Sequence, residues 1–164
     1  MKKWLAAGLL ALCAPAFALD GVSLEGGVGS HAVNLWRLGA QWDQQVDWLA
    51  RHGWQLYWDA SVGGWHSDLG TVYDFGLTPV FRYAPSGRGW YGEGAIGFHY
   101  LSDEHIAPDV TFSTRFQFGD HVGVGYRFER YDLSLRLQHL SNGGIRNPNP
   151  GINFLELRLG YALR

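Results

Sequence analysis

Eight segments of this chain alternate apolar and polar side chains with a period of two, the spacing that puts successive residues on opposite faces of a β-strand. The first sets Val22, Leu24, Gly26 and Val28 against Ser23, Glu25 and Gly27; the second sets Trp36, Leu38, Ala40 and Trp42 against Leu35, Arg37, Gly39, Gln41 and Asp43. The third (about 53–66) carries Trp54, Leu56, Trp58 and Val62 on one side and Tyr57 and Asp59 on the other. In the fourth (70–84), Tyr73, Phe75, Leu77, Pro79, Phe81 and Tyr83 oppose Asp74, Thr78 and Arg82. Pro79 has no N–H for a ladder bond and predicts a bulge or a weak spot there. The fifth (about 90–101) turns Trp90, Ile96, Phe98 and Tyr100 away from Glu93 and His99. The sixth (about 111–128) sets Phe112, Phe116, Phe118, Val122, Val124, Tyr126 and Phe128 against Ser113, Arg115, Gln117, His121 and Arg127, with Asp120 as a charged exception on the apolar side. The seventh aligns Tyr131, Leu133, Leu135 and Leu137, and the eighth Leu155, Leu157, Leu159, Tyr161 and Leu163.

The faces opposite these apolar rows hold Glu25, Arg37, Asp59, Asp74, Arg82, Glu93, Arg115, Arg127, Arg136, Glu156 and Arg158. Alternation is symmetric, so it fits a soluble barrel with charges outside and equally an inverted barrel with charges inside. Three features favour the inverted form. The apolar faces are long and aromatic. The polar faces mix acids and arginines in nearly equal numbers among glycines, as side chains filling a narrow lumen do. Residues 1–18 read as a secretory signal: Lys2 and Lys3, an apolar run, then Ala16-Phe17-Ala18 as a cleavage site. Cys13, the only cysteine, falls in this leader after Leu12, where a lipoprotein signal requires a small residue, so the remainder has no thiol chemistry.

Both lysines also lie in the leader, leaving 11 arginines against 15 acids in residues 19–164. That balance argues against a nucleic-acid partner, which needs clustered positive charge. No apolar run after the leader is long enough for a membrane helix, and a sheet within hydrocarbon must close to satisfy its edges. The sequence therefore predicts an all-β fold: one eight-stranded antiparallel transmembrane β-barrel of the outer-membrane type over 19–164, its interior packed with polar side chains and closed to conduction.

Within this frame, "HLSNGGIRNPNPGIN", residues 139–153, ends the seventh strand in an unusual way. His139 and Ser141 continue the face of Leu133, Leu135 and Leu137, and counting back from Leu155 brings Asn153 to the same outer face. A serine becomes a nucleophile when a positioned base takes its proton and a third group orients that base. Asn153 can orient an imidazole but adds no negative charge. Glu156 is the nearby carboxylate, with a parity that points it inward unless a bulge separates 153 from 156. Spacing alone leaves open a plain polar turn with an interfacial histidine.

The signal, the eight strands and the pattern "HLSNGG" followed by "PNPG" resemble the outer-membrane lipid A 3-O-deacylase (PagL) family. The resemblance implies Ser141 as nucleophile and His139 as general base, with Asn142 and the backbone N–H of Gly144 stabilising an oxyanion or shaping the site and Asn149 holding the loop. The position of the family's third catalytic residue, a glutamate, falls on Asn153, so Asn153 orients His139 with less electrostatic help, Glu156 is recruited, or this member is slower. On that resemblance Phe118 corresponds to an aromatic lining the acyl groove, the alternative being one more lipid-facing phenylalanine; Arg146, in the loop after Gly144, is placed to meet a lipid A phosphate or is a solvated loop arginine. The implied reaction is hydrolysis of the ester joining a 3-hydroxyacyl chain to position 3 of lipid A in lipopolysaccharide of the outer leaflet, with no metal or cofactor. An outer-membrane phospholipase or esterase acting on other lipids, and a structural or adhesion barrel, are the alternatives.

Overall fold

The computed structural model describes residues 18–164, so nearly all of the leader, Cys13 included, lies outside the described residues. Eight antiparallel strands close into a barrel in the order β1-β10-β9-β8-β5-β4-β3-β2. They are β1 (Gly21–Gly29), β2 (Asn34–Gln44), β3 (Trp54–Ser67), β4 (Gly70–Tyr83), β5 (Gly89–Leu101), β8 (Phe116–Arg127), β9 (Tyr131–Ser141) and β10 (Ile152–Ala162). Pairing of β1 with β10, Gly21 opposite Ala162, closes the cylinder and puts both ends of the described chain at one rim. Two short strands, β6 (His105–Ala107) and β7 (Val110–Thr111), form a ribbon in the β5–β8 connection at the other rim. A one-turn helix, α1 (Asp47–Arg51), sits in the β2–β3 connection at the terminal rim.

The pattern is inverted, as the sequence predicts. Leu133, Leu135 and Leu137 of β9 and Leu155, Leu157 and Leu159 of β10 face outward and exposed, whereas Glu25, Arg37, Asp74, Arg82, Glu93, Arg136, Glu156 and Arg158 are buried in the lumen. There Arg37 bonds Glu25 at 3.0 Å and Asp74 at 3.1 Å, while Arg136 bonds Glu93 at 2.7 Å and Glu25 at 2.8 Å. Arg158 reaches Asp132 at 2.7 Å. His99 is likewise inward, 2.8 Å from Asp74, and His121 is buried. Each guanidinium answers more than one carboxylate, which offsets the several kcal/mol that desolvating each ion costs.

Toward the rim opposite the termini the lumen changes character. Val33, Leu35, Trp65, Val72, Leu101, Leu140, Ile152 and Phe154 turn inward there and pack with Ile106, Ala107, Val110 and Phe112 of the β5–β8 connection into one apolar plug. Two expectations are corrected by this plug. The sixth segment does not run unbroken from 111, because barrel strand β8 starts at Phe116. Phe112 is only 1% exposed, inside the plug and away from lipid, and Arg115 is exposed in the connection and not in the lumen. Alternation could not distinguish them: the ribbon interrupts the strand, so parity counted through residues 112–115 no longer refers to the barrel wall.

Pro79 produces the weaker of its two expected effects. Pairing of β4 with β5 lapses at Thr78 and Pro79 but resumes at Val80 opposite Ala95 in the same register, so no bulge forms.

Candidate active site

At the plugged rim β9 lies between β8 and β10, and its last three residues belong to the stretch singled out above. Asn153 is the register partner of His139 across β10, and the ladder runs without a slip through Glu156 opposite Arg136. The imidazole Nδ1–H of His139 donates to Asn153 Oδ1 at 2.8 Å. An amide oxygen only accepts, so this bond sets the proton on Nδ1 and leaves Nε2 as the basic nitrogen. Ser141 is two residues further along the same outer face, and both side chains are half-buried. Leu140, between them, points inward against Ile152 and is fully buried. The apolar plug thus holds the back of the strand whose front carries the polar pair.

Glu156 does not join this group. It is buried in the lumen, 3.5 Å from Arg37, and the unbroken register supplies no bulge that would turn it outward.

The β9–β10 loop folds over the site through its asparagines. Asn142, fully buried, receives Gly144 N–H on its Oδ1 at 2.9 Å and donates from Nδ2 to Ser113 Oγ at 2.9 Å and to the Arg146 carbonyl at 2.7 Å. Its own N–H donates to Asn149 Oδ1 at 2.9 Å. Asn142, Gly144 and Asn149 are thus linked within the loop, and in this arrangement Asn142's amide and the Gly144 N–H each already have a partner. The N–H that faces Ser141 is that of Gly143, 3.4 Å from Oγ. Sequence reasoning missed Gly143, which directly follows "SN" and has a φ of +64°.

Gly151 is a second residue that spacing did not identify. Its φ is +67°, and a Cβ there would lie 2.7 Å from His139 Cε1 and 3.3 Å from Nε2. Only glycine allows the loop to pass this close to the imidazole. Ser30 is a third: its Oγ accepts Asn153 N–H at 3.2 Å. Ser30 belongs to a turn in which His31 and Ala32 both have positive φ, 61° and 55°, strain of roughly 1–2 kcal/mol per residue outside glycine. His31 Nδ1 lies 2.7 Å from Asp109 Oδ2, tying that turn to the ribbon, and this hydrogen bond holds the Asp109 carboxyl below the usual carboxylate range.

Phe118 stands opposite Ser141 on β8 and is half-buried. Its ring centroid is 5.1 Å from Phe116 and 6.0 Å from Phe98, and Gly143 packs against it. An aromatic surface thus leads from Ser141 across β8 to β5. Arg146 is exposed within the loop, its carbonyl also taking the Ser113 hydroxyl at 2.8 Å.

The model of the family described as "Lipid A 3-O-deacylase (PagL)" matches residues 35–162, nearly the whole barrel together with the 139–153 loop. The chain belongs to that PagL family. It is 32% identical to the lipid A deacylase PagL of Bordetella bronchiseptica, over 86% of this chain and 82% of that one. It is 30% identical to the lipid A deacylase PagL of Pseudomonas aeruginosa, over 96% of each. A crystal structure of the outer membrane enzyme PagL superposes with a TM-score of 0.76 at 27% identity, covering 86% of this chain and 98% of the other. The PagL barrel is an outer-membrane barrel, and so is this one.

Its orientation follows. Outer-membrane barrels keep short turns on the periplasmic side and longer connections outside. The longest connections here, 102–115 and 142–151, lie at the rim opposite the termini. His139 is eight residues beyond Tyr131 on β9, about 20 Å along the normal for a strand tilted ~40°. Tyr131 pairs with Tyr161 at 4.9 Å near the terminal rim. An apolar band ~25 Å tall starting there would extend slightly beyond His139, so the polar group lies toward the outer end of the apolar wall.

Proposed function

We propose that this protein is a serine-histidine esterase that removes the 3-hydroxyacyl chain from position 3 of lipid A. The reading is carried by one observation: an imidazole hydrogen-bonded to Asn153 and a serine share the outward face of β9 at the rim opposite the termini. Family membership supplies the substrate and the 3 position.

Lipid A lies in the leaflet with an acyl chain along Phe118, Phe116 and Phe98. His139 Nε2 takes the Ser141 hydroxyl proton as Oγ attacks the ester carbonyl, and the charge that develops on the carbonyl oxygen is met by the N–H of Gly143, the donor that already faces Oγ. Collapse expels the sugar 3-oxygen, which takes the proton back from Nε2. Water then attacks the acyl-serine ester with His139 again as base, releasing the 3-hydroxy fatty acid and restoring Ser141. Asn142, Asn149 and Ser113 keep the loop in place through both steps. Arg146, exposed in the same loop, meets a lipid A phosphate.

A fluorophosphonate probe on detergent-folded protein, combined with fatty-acid analysis after incubation with purified lipopolysaccharide, tests this. The wild type is expected to be labelled and to release 3-hydroxy fatty acid, and Ser141→Ala to do neither. A folded wild type that resists the probe contradicts the nucleophile, and labelling with release only from phospholipid contradicts the substrate.

A further inference from the structure

Asp120 is the charged residue on the otherwise apolar outer face of β8. Its neighbours on three sides are apolar: Phe118 and Val122 along its own strand and Ile96, its register partner on β5, which is 67% exposed. Its register partner on the fourth side, across β9, is His139. Among the described residues its carboxylate has no hydrogen-bond or ion-pair partner. An ionised side chain on a lipid-facing strand is costly and marks function by default. One row across the outer wall therefore reads Ile96, Asp120, His139, Asn153, with the imidazole between a carboxylate and an amide.

We propose that Asp120 supplies the negative charge that Asn153 lacks. In a triad with a carboxylate one residue both orients the imidazole and stabilises the imidazolium formed as the serine loses its proton. Here the two tasks are divided. Asn153 orients through its hydrogen bond to Nδ1, and Asp120, directly opposite at the ~5 Å Cβ separation of cross-strand partners, stabilises the cation through space. Apolar surroundings lower the local dielectric and strengthen that attraction. Facing His139 are Asp120 from β8, Asn153 from β10, Leu137 and Ser141 along β9, and Gly151 from the loop above; Asp120 is the ionisable group among these. It acts through His139 and is a positioning residue, not a catalytic one.

The inference rests on the Ser141–His139 reading, and its test uses two readouts that separate the failures: the rate of Ser141 labelling by a fluorophosphonate, and kcat and KM for lipopolysaccharide. Asp120→Asn is expected to lower labelling rate and kcat about ten- to hundred-fold with KM within about two-fold. Asn153→Glu placed in that background is expected to restore most of the loss, because it returns a carboxylate to the imidazole from the other side. Heat-modifiability in gels monitors folding of each variant. Equal labelling of wild type and Asp120→Asn overturns the proposal, as does a loss that Asn153→Glu leaves unrepaired in folded protein. An unlabelled wild type removes the nucleophile itself and is thereby distinguished from failure of Asp120 alone.

Discussion

At the scale of single residues the site depends on directions set by the backbone. His139 takes its tautomer from one bond, Nδ1 to Asn153 at 2.8 Å, and the opposite edge of the ring is kept clear by Gly151. Asn153→Ala removes that orienting bond, so its turnover is expected to fall about ten-fold or more while the barrel folds. Glu156→Gln alters a lumen pair and touches no atom of the site; its expected signature is lower resistance to unfolding with turnover within about two-fold. Kinetics on refolded variants with denaturant titrations decide between them, and a larger kinetic loss in Glu156→Gln would return the orienting role to the carboxylate. Much of this was legible beforehand. Parity alone puts His139, Ser141 and Asn153 outward and Glu156 inward, whereas Gly143 and Gly151 depend on loop dihedrals that no periodicity encodes.

At the scale of elements, β9 exchanges its two faces along its length. From Tyr131 to Gln138 it is apolar outside and polar inside; from His139 to Ser141 it is polar outside, with Leu140 buried inside. The reversal is what passage from hydrocarbon to headgroups requires of a strand: in lipid the apolar face must look out, and beyond it the apolar face must look in. Leu35 on β2, Trp65 on β3 and Leu101 on β5 make the same reversal at the same rim. Alternation cannot show this, since parity continues unbroken while only the meaning of each face changes. The plug also backs the site, since Leu140, between His139 and Ser141, is fully buried in it. Leu140→Ala leaves a cavity directly behind His139 and Ser141, and such truncations cost about 2–5 kcal/mol. The expected outcome is reduced stability in denaturant titration together with a kcat loss that a matched truncation in the plug away from β9, Val72→Ala, does not produce. Equal kcat losses would mean that the plug stabilises the barrel without positioning the site. The β6–β7 ribbon that completes the plug departs from the sequence expectation, because its short strands break the sixth segment where the sequence alternates as if continuous.

At the scale of the whole molecule, an inverted barrel explains why an esterase would carry its nucleophile on the outside. The lumen is filled by linked ion pairs and closed above by the apolar plug, so it offers no space for a lipid. The outer wall is the surface that meets the leaflet, and at His139, Ser141 and Asp120 it turns polar beside the aromatic surface of Phe118, Phe116 and Phe98. Fold class and topology were legible in the eight alternating segments and their balanced charges; the depth of the site was not, since it depends on where the strands sit in the bilayer. The measurement that tests the account most directly is mass spectrometry of lipid A from cells making the wild type or Ser141→Ala, with equal amounts of folded barrel in the outer membrane. The account predicts loss of one 3-hydroxyacyl chain from position 3 with the wild type and intact lipid A with the variant. The same loss with both proteins would contradict Ser141 as nucleophile, and intact lipid A with both would contradict the proposed reaction.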